Sequence, residues 1–366
     1  MIVGVLGGGQ LGRMLGLAGL PLGLKFRFLD PEPDSPCAQV GEQLVGSYTD
    51  PATLDRFAAG LDAATFEFEN VPADTVRRIA RSVPVFPSAQ ALETAQDRLS
   101  EKNLFQSLGI PTPSYYPLSH RDDLAAGLDR IGCPAVLKTR RFGYDGKGQW
   151  LIQRAEDANL ILSQLPAEPD SLILEGFVRF DREVSLIAVR GRSGEARFYP
   201  LVENHHQGGI LRLSLAPAPN VSVELQRAAQ AYAARLLETL DYVGVLTLEL
   251  FLRGDALLAN EIAPRVHNSG HWTIEGAETS QFENHLRAVL GFPLGSTDCR
   301  GVSAMWNILG APPNYEAILA VPRQHLHLYG KEPRSGRKIG HVTVCASDWE
   351  AVHQQLEPIR ALAPQT

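Results

Sequence analysis

The strongest constraint on this chain is an apolar run, residues 243–251, that carries Glu249 in its middle and leads into Asn260-Glu261-Ile262-Ala263-Pro264-Arg265-Val266-His267-Asn268-Ser269-Gly270-His271-Trp272. Flanks this apolar bury a strand, and a carboxylate buried with its strand requires a cation to neutralise it. Two carboxylates, an amide, an arginine and two histidines thus fall within a strand pair and a loop. A divalent-metal and nucleotide site is the first expectation.

The turn Arg253-Gly254-Asp255 leaves the relation of the two carboxylates open. An odd loop centred on Gly254 or Asp255 puts Glu249 and Glu261 on one sheet face; a two-residue Gly-Asp turn puts them on opposite faces. On one face, with Asn260 nearby, they make a hard-oxygen site for magnesium bridging nucleotide phosphates. Otherwise they are ordinary solvent-facing strand residues. The stretch 265–272 can hold a small anion, or it is a structural loop with internally satisfied histidines.

The first hundred residues alternate strand and helix signals: strands at 2–6, 26–30 and 63–68, helices at 11–20 and 51–59. Alternation of this kind means a parallel sheet covered by helices. A single helix is expected over 95–108, stopped by Gly109 with Pro111 beyond. Strands at 134–139, 149–153, 171–174, 183–189 and 197–201 then read as an antiparallel α+β region, with a helix at 223–240. Ser280-Gln281-Phe282-Glu283 reads as a capping box opening a helix that Gly291 closes, and residues 299–366 read as short strands and loops. The domains expected are 1–96, 97–298 with a lid at about 112–176, and 299–366.

Two glycine-rich loops follow strands. Gly7-Gly8-Gly9-Gln10-Leu11-Gly12, with Asp30 ending the next strand, fits the dinucleotide fingerprint, in which backbone amides hold a pyrophosphate. It fits a tight turn or another ligand equally, and nothing later in the chain is built for hydride transfer. Gly143-Tyr144-Asp145-Gly146-Lys147-Gly148-Gln149 is not a Walker loop, but its glycines can close over phosphates whose charge Lys138 and Lys147 offset. A surface hairpin is the alternative. Lys331, Arg334, Arg337 and Lys338 form a cationic stretch able to grip a phosphate monoester, or a solvated loop.

An acidic balance, net −7, argues against nonspecific nucleic-acid binding. The cysteines Cys37, Cys133, Cys299 and Cys345 are too scattered for a zinc ribbon or a disulfide framework. No run approaches a membrane span, and Met1-Ile2-Val3 reads as a strand rather than a signal peptide, so a cytoplasmic protein is expected.

In order along nearly the whole chain, the segments 7–14, 97–99, 143–149, 199–201, 260–272 and 336–341 resemble those of the 5-(carboxyamino)imidazole ribonucleotide synthases, ATP-grasp ligases of purine biosynthesis. The resemblance implies an ATP-grasp architecture: an N-terminal Rossmann-like α/β domain, a central ATP-grasp domain with a lid, and a small β-rich C-terminal domain. It implies ATP-dependent carboxylation of 5-aminoimidazole ribonucleotide by bicarbonate, through carboxyphosphate, with magnesium as cofactor and a homodimer as the assembly.

Carried over, it places Arg98 and Lys138 on the ATP phosphates under a lid formed by Gly143, Tyr144, Asp145, Gly146, Lys147, Gly148 and Gln149. Glu175, Gly176, Phe177 and Val178 would meet the adenine and Glu183 the ribose, with His206 and Asn260 completing the nucleotide site. Glu249 and Glu261 would hold magnesium; Tyr144, Asp145, Arg265, His267 and Asn268 would surround bicarbonate and the reacting amine. Gln10, Leu11 and Glu67 would approach the ribonucleotide, and Lys331, Arg337 and Lys338 would bind its phosphate. The rival readings are a formate and glycinamide ribonucleotide ligase of the same architecture, an NAD-dependent oxidoreductase, and a noncatalytic nucleotide-binding regulator.

Overall fold

The computed structural model describes residues 1–143, 146–165 and 172–362. Its first unit is a four-stranded parallel sheet in which Ile2–Leu6 lies between Lys25–Asp30 and Ala63–Phe66, with Glu42–Val45 at the edge. Val3, Val5 and Leu6 are buried, as a strand covered on both faces demands, and the helices Gln10–Gly19 and Pro51–Ala58 supply the cover. Pairing of Leu6 with Phe66 brings the loops at 7–12 and 67–70 out at the same carboxyl edge, where parallel sheets place their ligands.

The helix expected over 95–108 is two helices, Ala89–Gln96 and Arg98–Ser107, broken at Asp97. Asp97 is extended (φ −125°, ψ 109°), and its carboxylate accepts from the amides of Leu99 at 3.0 Å and Ser100 at 3.5 Å. Arg140 binds the same carboxylate through both oxygens at 2.9 and 2.6 Å. Apolar periodicity runs through the break; the cap on Leu99 and Ser100 is local, and Arg140 from another element holds the capping carboxylate in place.

A second sheet, of four antiparallel strands, has the order Tyr115–Leu118, Leu172–Gly176, Ala135–Thr139, Gln149–Ile152. It has its own core of Leu118, Leu124, Leu137, Ile161 and Leu174.

The third sheet has nine antiparallel strands. Ala256–Ala263, Gly244–Arg253, Arg182–Arg190, Val202–Gln207 and Ile210–Ala216 lie in that order, and Ala196–Phe198 pairs with Arg182–Arg190. The sheet runs on through Val302–Leu309, Lys338–Ala346 and Gln324–Leu328. Residues 299–362 are thus more regular than their sequence reads, with strands of eight and nine residues and a helix Trp349–Leu362. Val352, Leu356 and Ile359 lie at helical spacing and are buried, but Pro358 inside the helix masks the pattern. Ser280 caps Gln281–Leu290 by accepting from the Glu283 amide, and Gly291 closes it at φ +76°. The Glu283 side chain turns to Arg287 instead of completing the box. This helix joins the parallel sheet to the nine-stranded one, since Phe282 and Leu286 share a core with Phe26, Val245 and Trp272.

Candidate active site

The turn at Gly254-Asp255 is the two-residue kind, with Arg253 paired to Ala256. Unbroken, that register would set Glu249 against Asn260 and throw Glu261 onto the opposite face. A β-bulge between Glu249 and Leu250 in the pairing shifts it by one residue, so Glu249 faces Glu261 directly. The two carboxylates therefore share a face, by a route neither turn alternative contained. Asn260 is the extra residue, and its Oδ1 is buried without a hydrogen-bond partner among the described residues.

Each carboxylate already meets a cation or imidazole. Arg98 Nη1 lies 2.7 Å from Glu261 Oε2, and His267 Nε2 lies 3.0 Å from Glu249 Oε1. Burial alone would raise the Glu249 carboxyl, but His267, His206 and Arg265 outweigh it and hold the group down at about 2. His267 is itself fixed. Its Nδ1 accepts from the Ser269 amide at 3.3 Å, so Nε2 carries the proton that faces Glu249. Behind it a hydroxyl and amide chain runs from Ser269 to Ser185 (2.8 Å), Asn204 (2.9 Å) and Ser214 (2.8 Å).

Arg265 is half-buried and held by Glu69, with Nη2 donating to Oε1 at 2.9 Å and Nε to Oε2. Burial opposes ionisation of Glu69, yet the Arg265 charge prevails and holds its carboxyl at about 2. Lys138 Nζ donates to Glu175 Oε2 at 2.9 Å, with Lys102 Nζ 3.4 Å from the same oxygen. Glu183 pairs with His206 Nδ1. Burial works against the His206 cation, but Glu183 and Glu249 leave its pKa above the ordinary imidazole value.

The first glycine loop is occupied by the protein itself. Glu67 accepts from the amides of Gly9 at 2.9 Å and Gly12 at 3.1 Å, and Asp30 accepts from Gly8 at 2.6 Å. These are the amides a pyrophosphate would need, so the dinucleotide reading fails here. A methyl on Gly9 would lie 2.6 Å from Glu67 Oε1, which is why glycine stands there. Burial raises the Glu67 carboxyl, only partly opposed by the two amides and Lys331.

Many of these groups line one cavity of about 1220 Å³. Its wall includes Gln10, Leu11, Glu67, Arg98, Lys138, Gly143, Gly146, Gln149, Glu183, His206, Glu249, Asn260, Glu261, Arg265, His267, Asn268, Lys331, Arg337 and Lys338. Lys331 donates to the Gln10 side chain, joining residues far apart in sequence. Asn268 reaches the wall while its amide pairs with that of Asn307 at 3.1 and 2.6 Å. Glu175, Gly176, Phe177, Val178, Lys147 and Gly148 do not line the cavity: the Glu175 carboxylate is buried on the two lysines, and Phe177 is exposed. Tyr144 and Asp145 lie outside the described residues. His271 and Trp272, which the sequence grouped with the site, are fully buried in the core. Sequence reading missed Glu69, Glu101, Lys102 and Asn204. The alternation Glu67-Phe68-Glu69 and the helical spacing of Arg98, Glu101 and Lys102 were the available signals.

Oxygen donors on one face, a buried amide oxygen without a partner, and lysine and arginine nearby suit a divalent cation carried by a nucleotide. Among the described residues no group of three or more His, Cys, Asp or Glu side chains is placed to hold a metal.

Fold and site together define an ATP-grasp protein. The ATP-grasp domain model matches residues 103–282, the ribonucleotide synthetase preATP-grasp domain 1–96, and the phosphoribosylaminoimidazole carboxylase C-terminal domain 303–355. The chain belongs to the N5-carboxyaminoimidazole ribonucleotide synthase family: it is 53% identical over 362 residues to the Pseudomonas aeruginosa enzyme of that name, covering 99% of each chain. The crystal structure of the Thermus thermophilus synthetase superposes with a TM-score of 0.95 at 58% identity, covering 100% of this chain and 99% of that one. The Aspergillus clavatus synthase in complex with ADP and 5-aminoimidazole ribonucleotide gives 0.92 at 34% identity, covering 99% and 98%.

Proposed function

We propose that this enzyme carboxylates the exocyclic amine of 5-aminoimidazole ribonucleotide with bicarbonate at the expense of ATP. The products are 5-(carboxyamino)imidazole ribonucleotide, ADP and phosphate. One observation carries the reading. A single cavity is lined both by Arg98, Lys138, Glu249 and Glu261, the groups read as the nucleotide's, and by Gln10, Glu67, Lys331, Arg337 and Lys338, those read as the ribonucleotide's. Arg265, in the same wall, lies close enough to feel the charge of both Glu67 and Glu249.

Bicarbonate is a poor electrophile because its carbon bears a delocalised anion. Transfer of the γ-phosphoryl group to a bicarbonate oxygen breaks the bond to ADP and gives carboxyphosphate, whose carbon is activated. The amine then attacks that carbon, or carbon dioxide released from it in the closed site, and phosphate leaves. In this reading Arg98 and Lys138 stabilise charge on the transferred group, and Arg265, its plane set by Glu69, holds bicarbonate. Asp145 takes or orients the amine proton. Glu249, Glu261 and the Asn260 Oδ1 would hold magnesium, which when bound would offset negative charge on the transferred phosphoryl group. The residues 143–149 exclude water, which would hydrolyse the intermediate. A cytoplasmic homodimer is part of the proposal; no helix among the described residues is long and apolar enough to cross a membrane.

The test is isotope transfer. With oxygen-18 bicarbonate, ATP and the ribonucleotide, each phosphate released should carry one bicarbonate oxygen. Phosphate free of label would mean that bicarbonate is never phosphorylated, and the proposal would fall.

A further inference from the structure

The Arg98–Ser107 helix turns an uncommon face inward: its buried residues are Arg98, Glu101, Lys102 and Phe105, a single stripe with three charges. Each charge meets a different part of the strand that carries Glu261. Arg98 Nη1 donates to the Glu261 carboxylate at 2.7 Å. Glu101 Oε1 accepts the Ile262 amide at 2.5 Å. Lys102 Nζ donates to the Asn260 carbonyl at 2.8 Å and the Ala259 carbonyl at 3.5 Å, and Thr112 Oγ1 donates to that Ala259 oxygen at 2.8 Å.

A bulge disrupts the ladder locally and leaves main-chain groups to find partners elsewhere, and buried ones left without them are costly. Here the helix provides those partners at the residue where pairing with Glu249 changes register. Without them the two-residue turn favours a regular ladder, which would carry Glu261 to the other face.

We infer that Lys102, together with Glu101, is a positioning residue of the site: it holds the Asn260 bulge that keeps Glu261 opposite Glu249 and so sets the acidic pair that faces the nucleotide. The inference rests on the reading of that pair as the carboxylates that hold magnesium.

Two measurements on the full-length enzyme test it. In Lys102→Met, backbone amides of residues 260–263 should exchange hydrogen about tenfold faster while those of Arg182–Arg190 stay within about twofold. Uniform acceleration, or none, would overturn the inference. The second is the affinity of Mn2+ with ADP, read by the electron paramagnetic resonance of the ion. Lys102→Met should weaken it about tenfold or more, the scale of losing a partner that orients a metal ligand.

Deleting Asn260 leaves a regular hairpin in which Glu261 still meets Glu249, so in that background Lys102→Met should change the affinity by less than about twofold. Equal losses in both backgrounds would mean that Lys102 acts through Glu175 and Lys138, and the inference would fail. Should the deletion not fold, the exchange experiment decides alone. Glu261→Gln separates the two readings: Mn2+–ADP affinity untouched by it would remove the metal assignment, while the exchange result would still judge the clamp on the bulge.

Discussion

The two glycine-rich loops of this molecule look alike in sequence and face opposite chemistry. At residues 7–12 the amides are already satisfied by Glu67 and Asp30, so glycine serves close approach between main chain and carboxylates. At residues 143–149 two glycines lie at positive φ, +75° for Gly146 and +69° for Gly148, beside a wall carrying Arg98 and Lys138. Glycine spacing reports only that a backbone must turn tightly or come close. The charge of what it approaches decides the ligand.

The largest expected effect falls on the second loop's side of the cavity. Glu261→Gln should lower kcat by two or more powers of ten, about 3 kcal/mol of transition-state stabilisation, in steady-state assays with saturating ATP. Wild-type turnover would erase the distinction between the two sets of groups.

Next comes Gly9→Ala, whose methyl would lie 2.6 Å from Glu67 Oε1; it should cost about 1–3 kcal/mol in urea unfolding, as overpacking does. Gly146→Ala has only the Gly209 Cα at 3.3 Å and the positive φ to contend with, and should cost about 1 kcal/mol. Equal costs would mean that the first loop is no more constrained than the second.

Glu67→Gln should raise the KM for the ribonucleotide about tenfold and leave that for ATP within about twofold, the scale of one lost charge-assisted contact. A shift confined to ATP would place the nucleotide at the wrong loop.

The smallest and sharpest contrast is in pH dependence, because the two carboxylates move in opposite directions. Glu249, held at about 2 against an ordinary 4.5, contributes stability that is complete above pH 4.5 and drains as pH falls toward 2. Glu67 is raised, so its contribution is complete below 4.5 and is lost as pH rises through its folded value. Urea unfolding of Glu249→Gln and Glu67→Gln against wild type, across about pH 3 to 6, should give differences that slope oppositely. Parallel slopes would contradict the assigned environments.

Much of this was legible in the sequence. The parallel sheet, the antiparallel region and the Glu249–Glu261 pair follow from periodicity and from apolar flanks around charge. The same-face geometry of that pair followed only from family likeness. A bulge at Asn260 changes the parity of a strand without changing its composition, and its partners lie on a helix about 160 residues earlier. The break at Asp97 escaped for the same reason: Arg140 completes the cap from another element. Glu69 was hidden because a carboxylate after a strand reads as solvated until Arg265 arrives from across the cavity. Local pattern gives elements; parity, caps and ion pairs between distant segments need the fold.

The most direct test of the shared cavity is phosphate release from Mg-ATP and bicarbonate, with and without 5-aminoimidazole ribonucleotide. Release that needs bicarbonate, rises sharply with the ribonucleotide and is not supported by formate with glycinamide ribonucleotide is the predicted result. Release that follows formate and glycinamide ribonucleotide instead, or no stimulation under any combination, would contradict it.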